Sequence, residues 1–350
     1  MPSFRTVEVT EILSERPGLQ RVAVRMPDGE VARAYSVTHL TGTCEVGDRL
    51  VVNTTAVELG LGTGGWHVVH WNLARDELVE PGPEHIMKLR YTSLQFDAGT
   101  DELAHPEVDR PLDGLPVAVC SVHSQVATVA AAFHDAAPTA RLVYVMTDGA
   151  SLPIALSDLV VAMRDRGLLD GTVTAGHSFG GDLEAVTVAS GIGLAAHVLH
   201  ADAVVVGMGP GVVGTGTRLG TTGIEVAPIL DTVAALGGTP VLCVRASDGD
   251  PRERHRGVSH HTLTALALAG TEPLVADVPA EAAVLEGVRV VRTPDGPSAA
   301  ELFDRLDLRV TTMGRTVDQD PLFFAAAAAA GRVLAGLVGE RGSERRGTTP

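Results

Sequence analysis

The sequence predicts an α/β protein in which a small N-terminal β-barrel-like domain precedes a mostly parallel, doubly wound α/β domain. Three observations lead there. Short β-branched runs separated by turn signals fill the first part of the chain, and from residue 115 apolar runs without a polar face alternate with Ala-rich runs of helical period. Composition agrees: 45% of the 350 residues are hydrophobic but only 3% are aromatic, so Val, Ala and Leu must fill the core.

The barrel-like domain is assigned to residues 1–72, with strands expected over 7–13, 20–26, 30–36, 49–53 and 66–71. Pro27-Asp28-Gly29 reads as a hairpin turn and Val46-Gly47-Asp48 as the turn feeding the fourth strand. Five strands in so short a span imply a small barrel or barrel-like sandwich. Gly60-Leu61-Gly62-Thr63-Gly64-Gly65 matches G-x-G-x-x-G by letter, yet a strand follows it where a dinucleotide needs a helix N-terminus. It is read as a glycine connection. Residues 73–114 form a connector containing one strand, over 86–96.

Residues 115–338 carry the α/β pattern. Strands are expected over 116–121, 141–147, 172–175, 203–206, 240–245, 274–278 and 308–312, with a weaker element near 288–291. Helices are expected over 125–134, 153–166, 183–200, 224–236, 262–269, 299–306 and 322–337. Strands that are apolar on both faces belong in a parallel sheet covered by helices on both sides. Thr222-Gly223-Ile224-Glu225 and Ser298-Ala299-Ala300-Glu301 have the spacing of capping boxes, and Asp320-Pro321 is a cap followed by a first-turn proline. The alanine run 325–330 is a close-packing face, and 339–350 is expected to be a disordered tail.

Composition excludes several classes of partner. The net charge of −16, from 27 Lys plus Arg against 43 Asp plus Glu, disfavours nucleic acid and anionic membranes, both of which demand a cationic surface. Lys88 is the only lysine, which reflects base composition and not a binding surface. Cys44, Cys120 and Cys243 are far apart and form no C-x-x-C pair; they are expected to be buried and reduced, in a cytoplasmic protein. No apolar stretch is expected to reach the roughly 18–20 residues of a membrane span, and the first residues lack the apolar core of a signal peptide. The expected partner is a small anionic molecule; a homo-oligomer is compatible with the sequence, and no residue pattern selects a cofactor.

In an open parallel sheet, ligands bind beyond the carboxyl ends of the strands. Polar and glycine residues collect there. His123, Asp148-Gly149, and Gly176-His177-Ser178-Phe179-Gly180-Gly181-Asp182 follow the first three strands. The fourth is followed by a glycine loop, 207–217, which contains Gly209, Gly211, Gly214 and Gly216 and whose small residues would let backbone N–H groups converge on an anion. It also matches the dinucleotide fingerprint, but the next helix begins only near Gly223 and no acidic residue ends the following strand. After the fifth strand come Asp248, Asp250 and a cationic knot of Arg252, Arg254, His255 and Arg256, suited to gripping phosphate or carboxylate. Ser259-His260-His261 reads as the cap and first turn of a helix.

Three readings follow. The first is an enzyme for a small anionic molecule, with His260, His177 and Asp182 as proton-transfer candidates and Gly209, Gly211, Gly214, Gly216, Asp148, Arg252, Arg254, His255 and Arg256 as ligand-binding candidates. It requires Arg254, His260 and Asp182 to share one sheet edge. The second is a serine hydrolase, because Gly176-His177-Ser178-Phe179-Gly180 has the letters of a nucleophile elbow and Asp248 and His260 or His261 follow in the required order. Against it stand Asp182 at the start of the expected helix and the lack of an oxyanion loop. The third is a non-catalytic ligand-binding or regulatory protein whose barrel docks a partner. No metal is expected: His123, Asp148, His177, Asp182 and His260 form no recognised ligand motif, and adjacent histidines on a helix point about 100° apart.

Met146-Thr147-Asp148-Gly149-Ala150, Phe179-Gly180-Gly181-Asp182-Leu183-Glu184-Ala185, Gly209-Pro210-Gly211 and Arg254 through His261, together with the stretch 53–65, resemble an uncharacterised bacterial family, the domain of unknown function 3866. The resemblance extends over nearly the whole chain. It implies no activity and no catalytic residue.

Overall fold

The computed structural model describes residues 1–61, 64–277 and 285–347, with side chains of the last helix as far as 341. The chain divides into two compact units, Met1–Gly99 and Thr100–Pro350. Residues 73–99 therefore cluster with the barrel strands and the rest of the connector with the sheet. Gly62, Thr63, Val278 and residues 348–350, on which parts of the glycine connection, one strand and the tail were expected, lie outside the described residues.

In the first unit, β1 (Phe4–Arg16), β2 (Leu19–Arg25), β3 (Val31–Val37), β4 (Arg49–Asn53) and β5 (Trp66–Asn72) close into a barrel in the order β1-β2-β3-β5-β4. The β3–β5 pair is parallel and the others antiparallel. Alternation explains the closure: Val7, Val9, Val22, Val24, Ala34, Leu50, Val52 and Val69 point inward to one small core. Short helices α1 (Thr38–Thr41) and α2 (Thr55–Glu58) fill the connections. The strand expected over 86–96 is not formed. Only β6 (Met87–Lys88) and β7 (Phe96–Asp97) pair, because Leu89 and Tyr91 take left-handed φ values of 51° and 62°, which turn the chain.

The second unit is built on an eight-stranded, wholly parallel sheet. Its strands are β8 (Pro116–Cys120), β9 (Leu142–Thr147), β10 (Gly171–Ala175), β11 (Leu183–Ala185), β12 (Ala203–Met208), β13 (Thr239–Leu242), β16 (Leu274–Ala276) and β17 (Arg289–Val291). The spatial order is β11-β10-β9-β12-β8-β13-β16-β17. A two-stranded ribbon, β14 (Ala246–Ser247) with β15 (Gly257–Val258), follows β13. Every residue of β8, β9, β10 and β12 is buried, as strands covered on both faces must be.

Helices form two layers. On one side lie α3 (His123–Ala136), α4 (Asp158–Asp165), α8 (Ala299–Leu306) and α9 (Pro321–Gly347); on the other lie α5 (Val188–His197), α6 (Val226–Ala235) and α7 (His260–Leu268). The alanine run of α9 lets it approach α3 closely, and Gly331 is the tightest point: a Cβ there would meet the Val129 carbonyl oxygen at 2.4 Å. By length and composition residues 321–341 could span a membrane, contrary to the expectation that no stretch would, with a mean hydropathy of 1.8. In this fold 61% of that apolar window is buried within the protein.

Three further expectations are corrected. Residues 183–185 are the edge strand β11 and not the start of a helix; α5 begins at Val188, where the Thr187 and Ser190 side chains make a reciprocal cap. Thr222 and Glu225 do not form a capping box, since Thr221 caps the turn there and Glu225 bonds to Thr147. Residues 308–312 form no strand, only a bridge between Thr312 and Arg315. The box at Ser298 and Glu301 is present as expected. The last helix continues to Gly347, through much of the expected tail.

The α3–α9 contact is directly testable. Gly331→Ala should destabilise the protein by about 1–3 kcal/mol, because a backbone carbonyl cannot yield to the added methyl. Gly339→Ala, with nothing within 4 Å of the new Cβ, should be neutral or stabilising by up to about 1 kcal/mol. Denaturation midpoints of the two variants should therefore move in different ways.

Candidate functional site

The order of the strands places a switch point between two neighbours, β8 and β12. The chain leaves β8 toward α3 in one helix layer and leaves β12 toward α6 in the other, so a crevice opens at their carboxyl ends. His123, the first residue of α3, is fixed in it. Its Nε2 lies 2.7 Å from Ser157 Oγ and its Nδ1 3.1 Å from the Met208 carbonyl oxygen. Since Nδ1 must donate to the carbonyl, Nε2 accepts from the serine, and the ring is a neutral tautomer. Burial drives its pKa down to about 4. His123 thus ties β8, β12 and α4 together and is held neutral.

Glu225 stands at the same crevice. Thr147, the last residue of β9, donates its hydroxyl to Glu225 Oε1 at 2.7 Å, and Gly149 leaves room for the carboxylate: a Cβ there would be 2.6 Å from Oε2. Burial, reinforced by the nearby Asp148 charge, raises its pKa to about 7. The spacing Thr222 to Glu225 suggests a capping role for this residue; a Glu directly before a helix, after a glycine-rich loop, is the signal that marks it for more.

The loop from Gly209 to Thr221 runs from this crevice to the residues that follow β13. Gly209 serves packing at its near end, where a Cβ would sit 2.6 Å from the Ser151 carbonyl oxygen and Ser151 N donates to the Pro210 carbonyl oxygen, and Gly211 supplies a turn at φ 107°. At its far end Val212, Val213, Gly214 and Gly216 form one wall of a cleft of about 140 Å³. The other wall comprises Arg245, Arg252, Arg254, His255, His261 and Met313. The structure thus brings the glycine loop and the cationic knot together, and it adds Arg245, which sequence reading placed only at the end of a strand.

The charges of this cleft are unevenly compensated. Arg252 forms a forked pair with buried Asp250, Nε to Oδ1 at 2.8 Å and NH2 to Oδ2 at 2.7 Å. Arg256 donates to the Asp250 carbonyl oxygen and does not line the cleft. Arg254 reaches to 3.5 Å from the position of a Cβ on Gly216, and no carboxylate among the described residues pairs with it. Arg245 is 4% exposed; its guanidinium meets His261 Nδ1 at 3.1 Å and, among the described residues, forms no ion pair. Burial, then the neighbouring Arg252 charge, brings its pKa down to about 10. The N–H groups of Gly214 and Gly216 also find no acceptor among the described residues.

Three imidazoles gather beside these arginines. Ring centroids of His255 and His260 are 4.9 Å apart, those of His255 and His261 4.9 Å, and those of His260 and His261 4.2 Å. The 100° separation of adjacent helical positions does not keep His260 and His261 apart, because both lie in the first turn of α7 and their rings turn toward His255. Ser259 caps that turn through His261 N and meets His255 Nδ1 at 2.7 Å. Burial and the arginine charges depress the pKa of all three imidazoles.

The remaining candidates lie elsewhere. Asp148 and His177 meet at the carboxyl edge, His177 N donating to Asp148 Oδ2 at 3.0 Å. Asp182 is at the opposite edge. It accepts from the backbone of Thr172, the second residue of β10, and pairs with Arg164 at 2.8 Å. The expected trio of Arg254, His260 and Asp182 is therefore not assembled, because β11 runs parallel to β10 and its leading residue returns to the amino end. Ser178 does not stand on an elbow: a strand follows, the residue is fully buried, and its hydroxyl donates to the Thr147 carbonyl oxygen. Asp248 and His261 are engaged with Leu322 N and Arg245. The hydrolase geometry is absent.

Two pH dependences follow. The folded pKa of Glu225 lies above its unfolded value near 4.5, so its destabilising ionisation sets in as pH rises toward 7. Glu225→Gln should leave stability unchanged near pH 4 and raise it at pH 8 by on the order of 1–2 kcal/mol, after discounting for solvent screening, as thermal melts at the two pH values would show. His123 has the reverse sign: its folded pKa is below the unfolded value near 6.5, so the stability it lends is present above pH 6.5 and is lost as pH falls toward 4. An NMR titration should show the His123 ring still neutral at pH 5.

No curated protein and no solved structure matches this chain at a significant level. A family model described as a protein of unknown function does match, over residues 33–331, a span that takes in part of the barrel and the whole of the eight-stranded sheet, with both the crevice and the cleft. The chain belongs to that family, DUF3866.

Proposed function

We propose that the protein binds a small anionic molecule, carrying phosphate or carboxylate, in the cleft between the glycine loop and Arg245, Arg252 and Arg254. One observation carries this reading: two guanidinium groups without a carboxylate partner among the described residues, one of them buried, face a wall of glycine backbone. A buried cation that feels Asp250 and Asp320 only at a distance, with no carboxylate in ion-pair contact, is costly, and an anion would relieve that cost by fork-like hydrogen bonds. Unused N–H groups on Gly214 and Gly216 add donors of the kind that cradle phosphate oxygens. The volume, about 140 Å³, suits a phosphate-sized or small carboxylate group and leaves the rest of a larger ligand outside.

Within this reading Gly214, Gly216, Arg245, Arg252, Arg254, His255 and His261 are the contacts. A catalytic role has one supporting observation, Glu225, whose raised pKa makes it a proton donor and acceptor near neutral pH at the switch point of the sheet. It would act on a ligand extending along the loop from the cleft toward the crevice.

Thermal melts in inorganic phosphate, pyrophosphate and citrate test the binding. At 100 times Kd a ligand stabilises by about 2.7 kcal/mol, which for a unit of this size raises Tm by roughly 5–10 °C. Arg254→Ala, an exposed substitution, should leave the unliganded Tm in place and abolish most of the shift. If none of these anions moves Tm at 10 mM, or if R254A responds as the unsubstituted chain does, the reading fails.

A further inference from the structure

We infer that His255, His260 and His261 form a site for one divalent transition-metal ion of the zinc class. Their ligand nitrogens all lie within 4.8 Å of one another. In a tetrahedral zinc site with N ligands at about 2.0–2.1 Å, neighbouring ligand atoms stand about 3.3 Å apart, so side-chain adjustments on the order of an ångström would complete the shell. Such adjustments need no backbone change, because the three residues sit on one short, tied segment: a tight turn ending at His255, then Ser259 and the first turn of α7.

Hydrogen bonding around the cluster fits ligation. His255 Nδ1 is 2.7 Å from Ser259 Oγ; donating to that oxygen would fix the ring and leave Nε2 with its lone pair. His260 Nε2 is buried with no hydrogen-bond partner, an orphan that three packed imidazoles do not explain by themselves. His261 Nδ1 accepts from Arg245 NH1, so that nitrogen presents a lone pair to a cation already. A metal would take that lone pair as the guanidinium turned into the cleft. With three protein ligands the fourth position would be open, as in zinc sites that exchange a ligand. Arg245, Arg252 and Arg254 oppose a dication, and of the buried acids only Asp250 acts on the cluster, at His255, so neutral imidazoles and not counter-charge would have to hold the ion. The site does not require the anion proposed above, although an anion in the cleft would lie where a fourth ligand belongs.

The test uses the full chain, freed of metal by chelator dialysis and titrated with Co²⁺ in phosphate-free buffer. The expected result is one equivalent bound, with the visible absorption of tetrahedral Co²⁺, displaced by one equivalent of Zn²⁺. His260→Ala and His261→Ala should each weaken binding at least tenfold, and the exposed His39→Ala should not. The inference is overturned by the absence of a Co²⁺ band, or by a band that persists in both variants. Should a variant fail to fold, X-ray absorption of the zinc-loaded unsubstituted chain decides: imidazole outer-shell scattering from three ligands supports the site, and a shell of sulfur or of oxygen alone overturns it. Phosphate titration of the metal-free chain reports separately on the anion.

Discussion

Two buried carboxylates organise the region after β13. Asp250 and Asp320 are both fully buried, a condition tolerable only when every charge is matched. Asp320 accepts from Ser247 Oγ, from the backbone of Asp248 and Gly249, and from Arg315 Nε at 2.9 Å. Asp250 accepts from Arg252, and Arg315 NH2 reaches it at 3.1 Å. Arg315 therefore bridges the two acids. Burial alone would lift the Asp320 pKa, but the bonds from Ser247 and Arg315 overcome it, and Asp250 is held far below the usual carboxylate range, chiefly by Arg252. The network joins β14, the cationic loop, the 312–320 segment and the start of α9. Without it, nothing in the local backbone would set the direction of the Arg252 side chain.

The same network explains an asymmetry in the cleft. Arg252 and Arg315 are spent on structure, each facing a buried acid, while Arg245 and Arg254 are not. Charge runs on a surface are usually solvated, but in this one Arg252 and Arg256 are tied to Asp250, by its carboxylate and its carbonyl oxygen, and Arg254 is exposed. What distinguishes Arg245, outside that run, is location. Arg245 is the buried residue that follows β13 by a short step, so its position is fixed by a strand end, and its neighbour His261 by a capped helix start. Groups placed by strands and helix ends hold their geometry better than groups placed by loops.

How much of this was legible in the sequence depends on how local each determinant is. Barrel strands showed because inward Val and outward Arg or Glu alternate between turn signals, and sheet strands showed because fully apolar runs such as Leu142–Thr147 have nowhere to lie except between helix layers. The glycine loop and the cationic knot were identifiable as partners, since both follow strands that the topology sets near one another. The failures were contacts distant in sequence. Leu183-Glu184-Ala185 has the letters of a first helical turn, yet it pairs with β10, and only Thr187 with Ser190 marks the true helix start. Glu225 has capping-box spacing, but a hydroxyl 78 positions away claims it. His255 approaches His260 and His261 because a turn folds back on a helix cap, a geometry that a rule for directions along one helix does not contain.

The net charge of −16 bears on the proposed anion in a definite way. Long-range attraction does not bring an anion to this protein, because its net charge is repulsive and beyond a Debye length of about 8–10 Å charges are largely screened. Recognition must be short-ranged, from guanidinium forks and backbone N–H groups at contact distance. In such a cleft, added salt has two opposed effects: it screens the repulsion of the acidic surface and it competes at Arg254, which is exposed. Arg245, buried, is screened much less. The affinity of a bound anion should then depend on salt through one arginine and hardly through the other, so the buried guanidinium and the glycine wall, more than the charge count of the knot, would set which anion is held.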